Sequence, residues 1–274
     1  MKIQDECSIC LFRQIERFLD GKNPHILQAI ESAIKKIDMQ DSPPKSAIKI
    51  YDILKDSLKC NDPYYEIKQD SMILAKQIAQ TINPNNLQEA IKAAVIGNAI
   101  DYGSQNQDNI HDAIEKTMSE DFAINHISNF KETLNKAESL LFIADNAGEN
   151  YFDEILLRFI KQHYSIKITY LVRGKPIIND LVMSDVENHK SLFDICEVKS
   201  SGVPSPGFIY DLANEDSKRH FMQDSIIIAK GMGNFECLES TKDKRLFLLF
   251  KIKCNVVSGF LNQNLNKLIF LNNY

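Results

Sequence analysis

The stretch Leu140-Leu141-Phe142-Ile143-Ala144-Asp145-Asn146-Ala147-Gly148-Glu149 decides how the rest of the chain is read. An unbroken apolar run of this length, ended by polar residues, has the form of a strand buried on both faces. It breaks at once into a carboxylate, an amide and a glycine. In a parallel sheet that break falls at the carboxyl edge, where ligands collect. The side-chain oxygens of Asp145 and Asn146 are the hard donors a divalent cation takes, and Gly148 permits close backbone approach. Taken alone, such a pair is more often a helix cap than a ligand set.

Two further segments repeat the pattern. Ile166 to Val172 runs into Arg173-Gly174-Lys175-Pro176-Ile177-Ile178-Asn179-Asp180, which puts two cations and a carboxylate beyond a neighbouring strand end. Asp180 could complete a metal site there, although Asn179-Asp180 also reads as a helix N-cap. Ser225 to Ala229 runs into Lys230-Gly231-Met232-Gly233-Asn234-Phe235-Glu236, a lysine followed by glycine-freed amides. Charge and backbone donors together suit an anion. The segment lacks the ending of a Walker loop, and a tight strand-to-helix turn explains it equally well. A metal beside an anion points to phosphate chemistry.

The runs 139–144, 166–172, 193–198, 225–229 and 246–250 are expected strands of a mostly parallel sheet. Amphipathic stretches at 149–163, 180–190 and 210–222 are expected helices between them, an alternation that favours an α/β sandwich. The last apolar run, Leu268 to Leu271, is too short to assign. Before residue 137 the period is helical, as in Ile30, Ile34 and Ile37, with breaks at Pro43-Pro44, Pro63 and Asn83-Pro84-Asn85. The expected organisation is an N-terminal all-helical region, 1–136, and an α/β domain, 137–274, forming one integrated unit.

The chain has 274 residues, 44% of them hydrophobic, and a formal net charge of -5. That acidic balance, with no sustained basic stripe, argues against a nucleic-acid partner. No stretch approaches the ~20 apolar residues of a membrane span, and Met1 to Glu6 has no secretory apolar core. A cytoplasmic protein without a membrane partner is therefore expected. Its six cysteines are dispersed, so free thiols or a metal are expected rather than disulfides. Cys7 and Cys10 have the spacing to share a soft metal, with Cys60 a conceivable third ligand, yet no second CxxC or His pair completes a zinc site. Gly97-Asn98-Ala99-Ile100-Asp101-Tyr102-Gly103 interrupts a helix with polar groups that could line the crevice; a plain helix end serves as well.

Together these segments resemble the family once called domain of unknown function 89, now described as metal-dependent damage-control phosphatases. The resemblance is to the stand-alone prokaryotic type with an amino-terminal CxxC. It rests on Cys7-x-x-Cys10, Asp62-Pro63-Tyr64 with Lys68, Gly97-Asn98-x-x-Asp101-x-Gly103 and Asp145-Asn146-Ala147-Gly148-Glu149 with Phe152-Asp153. Further along it rests on Arg173-x-x-Pro176-Ile177-Ile178-Asn179-Asp180, Ser201-Gly202, Lys230-Gly231-x-Gly233-Asn234-Phe235-Glu236 and Lys253-Cys254. The resemblance implies a three-layer α/β/α sandwich domain with a helical region, hydrolysing small phosphorylated metabolites such as sugar phosphates with a divalent cation. Asp145, Asn146 and Asp180 would hold the metal, and Lys230 would contact phosphate. Met232 stands where the family often has Gln, and Met72 where it often has Asn.

Magnesium or manganese suits so oxygen-rich a site, and cobalt or nickel could substitute in a purified enzyme. Asn98, Asp101, Glu149, Arg173, Gly231, Gly233 and Asn234 are the expected substrate contacts. Whether water attacks phosphorus directly or Asp145 first takes up the phosphoryl group stays open at the level of sequence. So do a non-catalytic metal or phosphometabolite-binding module, a CxxC-centred zinc or redox protein, and the oligomeric state. A carboxyl methyltransferase is disfavoured by the single glycine after the first expected strand.

Overall fold

The computed structural model describes residues 1–99 and 107–274. The chain opens with helices α1 (Asp5–Leu19), α2 (Pro24–Ile34), α3 (Pro43–Leu58), α4 (Tyr65–Ala79), α5 (Leu87–Ala99) and α6 (Gln107–Ser119). The breaks expected from proline and asparagine are where these helices begin. Pro43 and Pro44 preset the first turn of α3, and the Ser42 hydroxyl accepts from the Lys45 amide at 3.4 Å. Asn86 caps α5 by accepting from the Glu89 amide at 2.9 Å.

Strand and helix then alternate as β1 (Phe122–Asn125), α7 (Ile127–Leu134), β2 (Ser139–Ile143), α8 (Glu149–His163) and β3 (Lys167–Val172). They continue as α9 (Met183–Val186), α10 (Lys190–Phe193), β4 (Glu197–Ser200), α11 (Glu215–Gln223) and β5 (Ile226–Lys230). The chain finishes with α12 (Gly231–Leu238), β6 (Leu246–Lys251), α13 (Asn255–Leu261) and β7 (Leu268–Asn272). The strands form one sheet in the order β1-β7-β6-β5-β2-β3-β4, parallel except where β7 runs against β6.

Alternate residues of β2 face opposite layers. Leu140 and Phe142 join the core under α5, α7 and α8, built with Ala90, Ile91, Phe130 and Leu156. Leu141 and Ile143 join Phe221, Phe235 and Val257 from α11 to α13. This period of two, with both faces covered, is what an unbroken apolar run requires. The first three helices build a separate cluster around Ile15, Ile30, Ile50 and Leu54, joined by Tyr64 and by Ile177 from the loop after β3.

Three expectations are corrected. The helical stretch expected to reach residue 137 contains β1, an edge strand pairing with β7. The strand expected over 193–198 lies at Glu197–Ser200, because residues 190–193 form α10 and Phe193 is exposed. The helix expected over 180–190 is the single turn α9, whose N-cap is Val182, so Asp180 caps nothing.

β2 is the hinge of the topology. From it the chain proceeds outward through β3 to β4, then returns to β5 on the other side of β2. Crevices in open parallel sheets form at such a reversal, beyond the carboxyl ends of the strands. Ile143 pairs in register with both Leu171 and Ala229, so Asp145, Arg173 and Gly231 emerge at one level.

Phe130 fastens α7 to the sheet, meeting Phe247 edge-on at 5.0 Å and Phe270 at 5.3 Å. Phe130→Ala should cost about 3–5 kcal/mol through the cavity it leaves. Chemical denaturation measures this, and an unchanged midpoint would contradict the packing described.

Candidate active site

The loops after β2 and β3 are clipped together by backbone. Leu181 N donates to Asp145 O at 2.9 Å, Ala147 N donates to Asn179 O at 2.9 Å, and Arg173 N donates to Leu181 O at 2.8 Å. Asn146 and Asp180 consequently face each other as an isolated antiparallel bridge. The three expected metal ligands are thus brought to one place by main-chain bonds rather than by side-chain chance.

Around them lies a buried polar network. Asn146 Nδ2 donates to Asp145 Oδ2 at 3.0 Å and to Glu149 Oε1 at 2.9 Å. Asn98 Nδ2 donates to the same two oxygens at 3.1 and 3.2 Å. Arg173 Nε donates to Asp180 Oδ2 at 2.7 Å, while its Nη2 lies 3.7 Å from Asp145 Oδ1 and is buried with no hydrogen bond among the described residues. Gly231 has φ +81°, and a Cβ there would lie 1.9 Å from Asp145 Oδ2, so only glycine admits the carboxylate.

Lys230 is placed otherwise than a phosphate contact requires. Its ammonium is fully buried and donates to Glu149 Oε2 at 2.9 Å and Asp153 Oδ1 at 2.6 Å. Tyr170 closes the chain by donating to Asp153 Oδ2 at 2.8 Å. Asn234 is also buried and structural in its bonding: it accepts from Phe208 N at 2.7 Å and donates to Lys230 O at 2.7 Å. A Cβ on Gly233 would lie 1.9 Å from Pro206 O, so that glycine serves a close approach of two loops. Asp101 lies outside the described residues.

The electrostatics follow from crowding. Burial, then the charges of Glu149 and Asp180, push the Asp145 carboxyl well above the usual range. Burial raises Asp180 to about 6 against the pull of Arg173. Burial likewise raises Asp153 to about 6, although Lys230 opposes it. For Glu149, burial is outweighed by Lys230 and Lys253, and its carboxyl is held low. Four buried carboxylates, Asp145, Glu149, Asp153 and Asp180, therefore face two buried cations, Arg173 and Lys230.

That imbalance suits a divalent cation. Among the described residues no three His, Cys, Asp or Glu side chains form a metal-binding group. The candidate donors are instead two carboxylates and the amide oxygen of Asn146, a hard oxygen set. Cys7 and Cys10 lie on α1 as free thiols, Cys7 half-buried and raised chiefly by that burial, Cys10 exposed. Cys60 is an exposed free thiol.

Sequence reasoning assigned no role to Asp153, Tyr170 or Lys253. The signal for Asp153 was its spacing of four from Glu149, which puts both carboxylates on one face of α8. Lys253 is exposed, and its charge acts on both Asp145 and Glu149.

A sheet with this reversal and an oxygen-lined crevice at its carboxyl edge defines an α/β protein of the open parallel-sheet class. Residues 3–269 match the damage-control phosphatase ARMT1-like domain, and the chain belongs to that family. It is 29% identical to a damage-control phosphatase of Pyrococcus horikoshii over 284 residues, covering 100% of this chain and 99% of that one. It is 27% identical to a damage-control phosphatase of Archaeoglobus fulgidus, with 98% of each covered. The crystal structure of a DUF89 family protein from Pyrococcus horikoshii superposes with a TM-score of 0.93 at 29% identity, over 100% of both chains. No described helix is long and apolar enough to cross a membrane.

If Lys230 neutralises buried carboxylates, Lys230→Met should cost about 3–5 kcal/mol, the usual penalty for stranding a buried charge. A lysine that only touched substrate would leave the denaturation midpoint unchanged, and that result would overturn the assignment.

Proposed function

We propose that this chain is a divalent-metal-dependent phosphatase acting on small phosphorylated metabolites, such as sugar phosphates, in metabolite damage control. The observation that carries the reading is the excess of buried carboxylates over cations around the clipped pair Asn146 and Asp180. Family membership supports the phosphatase class.

Asp145, Asn146 and Asp180 would hold the ion, which would neutralise charge on a phosphate oxygen and so ease attack of water on phosphorus, with the alcohol departing. The protein's own groups do the positioning. Glu149 fixes the amide groups of Asn146 and Asn98, which leaves the Asn146 oxygen free for the ion. Lys230 and Asp153 keep Glu149 in place from below. Arg173 orients Asp180, and its Nη2, with no hydrogen-bond partner among the described residues, is the natural donor for a phosphoryl oxygen in place of Lys230. Lys253, at the exposed rim, is the second cation suited to the leaving group.

The purified chain, stripped of metal by a chelator, should release little phosphate from an aryl phosphate and recover on addition of manganese or magnesium. Asp145→Ala should lower the metal-supported rate by at least about a hundredfold. Undiminished release by Asp145→Ala would sink the assignment, and metal binding without any release would favour a non-catalytic module.

A further inference from the structure

A second polar system lies on the outer side of α8. A cleft of about 580 Å³ opens between the end of α4, the segment 82–84, α8 and residues 188–191. Its cations are Lys76, Arg158 and Lys190, and its acid is Glu154. Glu154 is already committed: one oxygen meets Arg158, and the other accepts from His189 Nε2 at 2.6 Å and from Ser191 Oγ at 2.9 Å. Burial would raise this carboxyl, yet the bonds from His189, Arg158 and Ser191 hold it at about 2. With the acid neutralised by its partners, Lys76 and Lys190 leave the cleft with positive charge. Tyr151, in contact with the His189 ring at 4.2 Å between centroids, supplies a flat apolar wall.

The floor of this cleft reaches the active-site loop. His189 is buried, and its Nδ1 accepts from Asn150 Nδ2 at 2.8 Å. Asn150 is fully buried, and its Oδ1 accepts from Gly148 N at 2.9 Å. Gly148 caps α8 at φ +95° and lies two residues beyond Asn146. Helix packing alone would favour apolar contacts here, because every buried polar group must find a partner. The chain Glu154, His189, Asn150, Gly148 is satisfied at each step.

We infer that this cleft is a second binding site for a small organic dianion, and that its occupancy is felt through His189 and Asn150 at the Gly148 loop. The inference stands apart from the phosphatase reading, since it uses none of the proposed metal ligands. Its physical requirement is that the ligand alter the His189 to Asn150 contact, because coupling needs an element that both sites bias.

Titration of the full chain with succinate in one arm and methylphosphonate in the other separates a carboxylate from a phosphorus-bearing source. The His189 imidazole and Gly148 amide resonances report the two ends of the chain. The expected result is that at least one anion shifts both signals together with a Kd of about 1 mM or tighter. The shifts should persist in Asp145→Asn, and the Kd should weaken at least about tenfold in the double variant Lys76→Glu/Lys190→Glu, whose substituted side chains are exposed. No His189 response to either anion, a His189 response without Gly148, or binding unchanged by the double charge reversal would each overturn the inference.

Discussion

Burying like charges together is costly unless something of opposite sign is buried with them. Asp145, Glu149, Asp153 and Asp180 are all buried at the carboxyl edge of the sheet, with Arg173 and Lys230 as their buried cations. Burial above all, with Glu149 adding to it at each position, raises the carboxyls of Asp145, Asp153 and Asp180. In the proposed function a divalent ion would be the counter-charge that closes this balance, held by Asp145, Asn146 and Asp180.

The fold creates that place by topology. The reversal at β2 opens the sheet edge, and parallel register sets Asp145, Arg173 and Gly231 at one height. Backbone bonds between the loops after β2 and β3 then fix Asn146 against Asp180. Lys68 secures the same region from the helical half: it is fully buried and donates to Asp185 at 3.0 and 2.8 Å, while Asp185 Oδ2 accepts from Val182 N at 2.9 Å. The helical region and the sheet therefore share responsibility for the geometry of one loop.

Much of this was legible before the structure, for identifiable reasons. The strands of the central sheet announced themselves because burial on both faces demands unbroken apolar runs, and strand ends followed by Asp145, Asp180 and Lys230 marked the crevice. β1 escaped notice because four residues at a sheet edge, only one of them buried, carry too little pattern. β4 was displaced because Phe193, apolar but exposed, belongs to a helical turn. Lys230 illustrates a deeper limit: sequence located the lysine at the strand end, but only packing decides whether its ammonium faces the crevice or the carboxylates below. Gly231 and Gly233 likewise read as freed amides, whereas the fold uses them for close approach.

The outer cleft shows that α8 carries two polar systems, Glu149 and Asp153 toward the sheet and Glu154 and Arg158 toward solvent. The first bears the central claim, that an oxygen set of Asp145, Asn146 and Asp180 holds a divalent ion. Anomalous diffraction from crystals grown with manganese tests it most directly. A single strong peak about 2.0–2.2 Å from oxygens of all three side chains is predicted, the range of oxygen ligands to a small divalent ion. A manganese peak elsewhere, with those three side chains uncoordinated, would contradict the account.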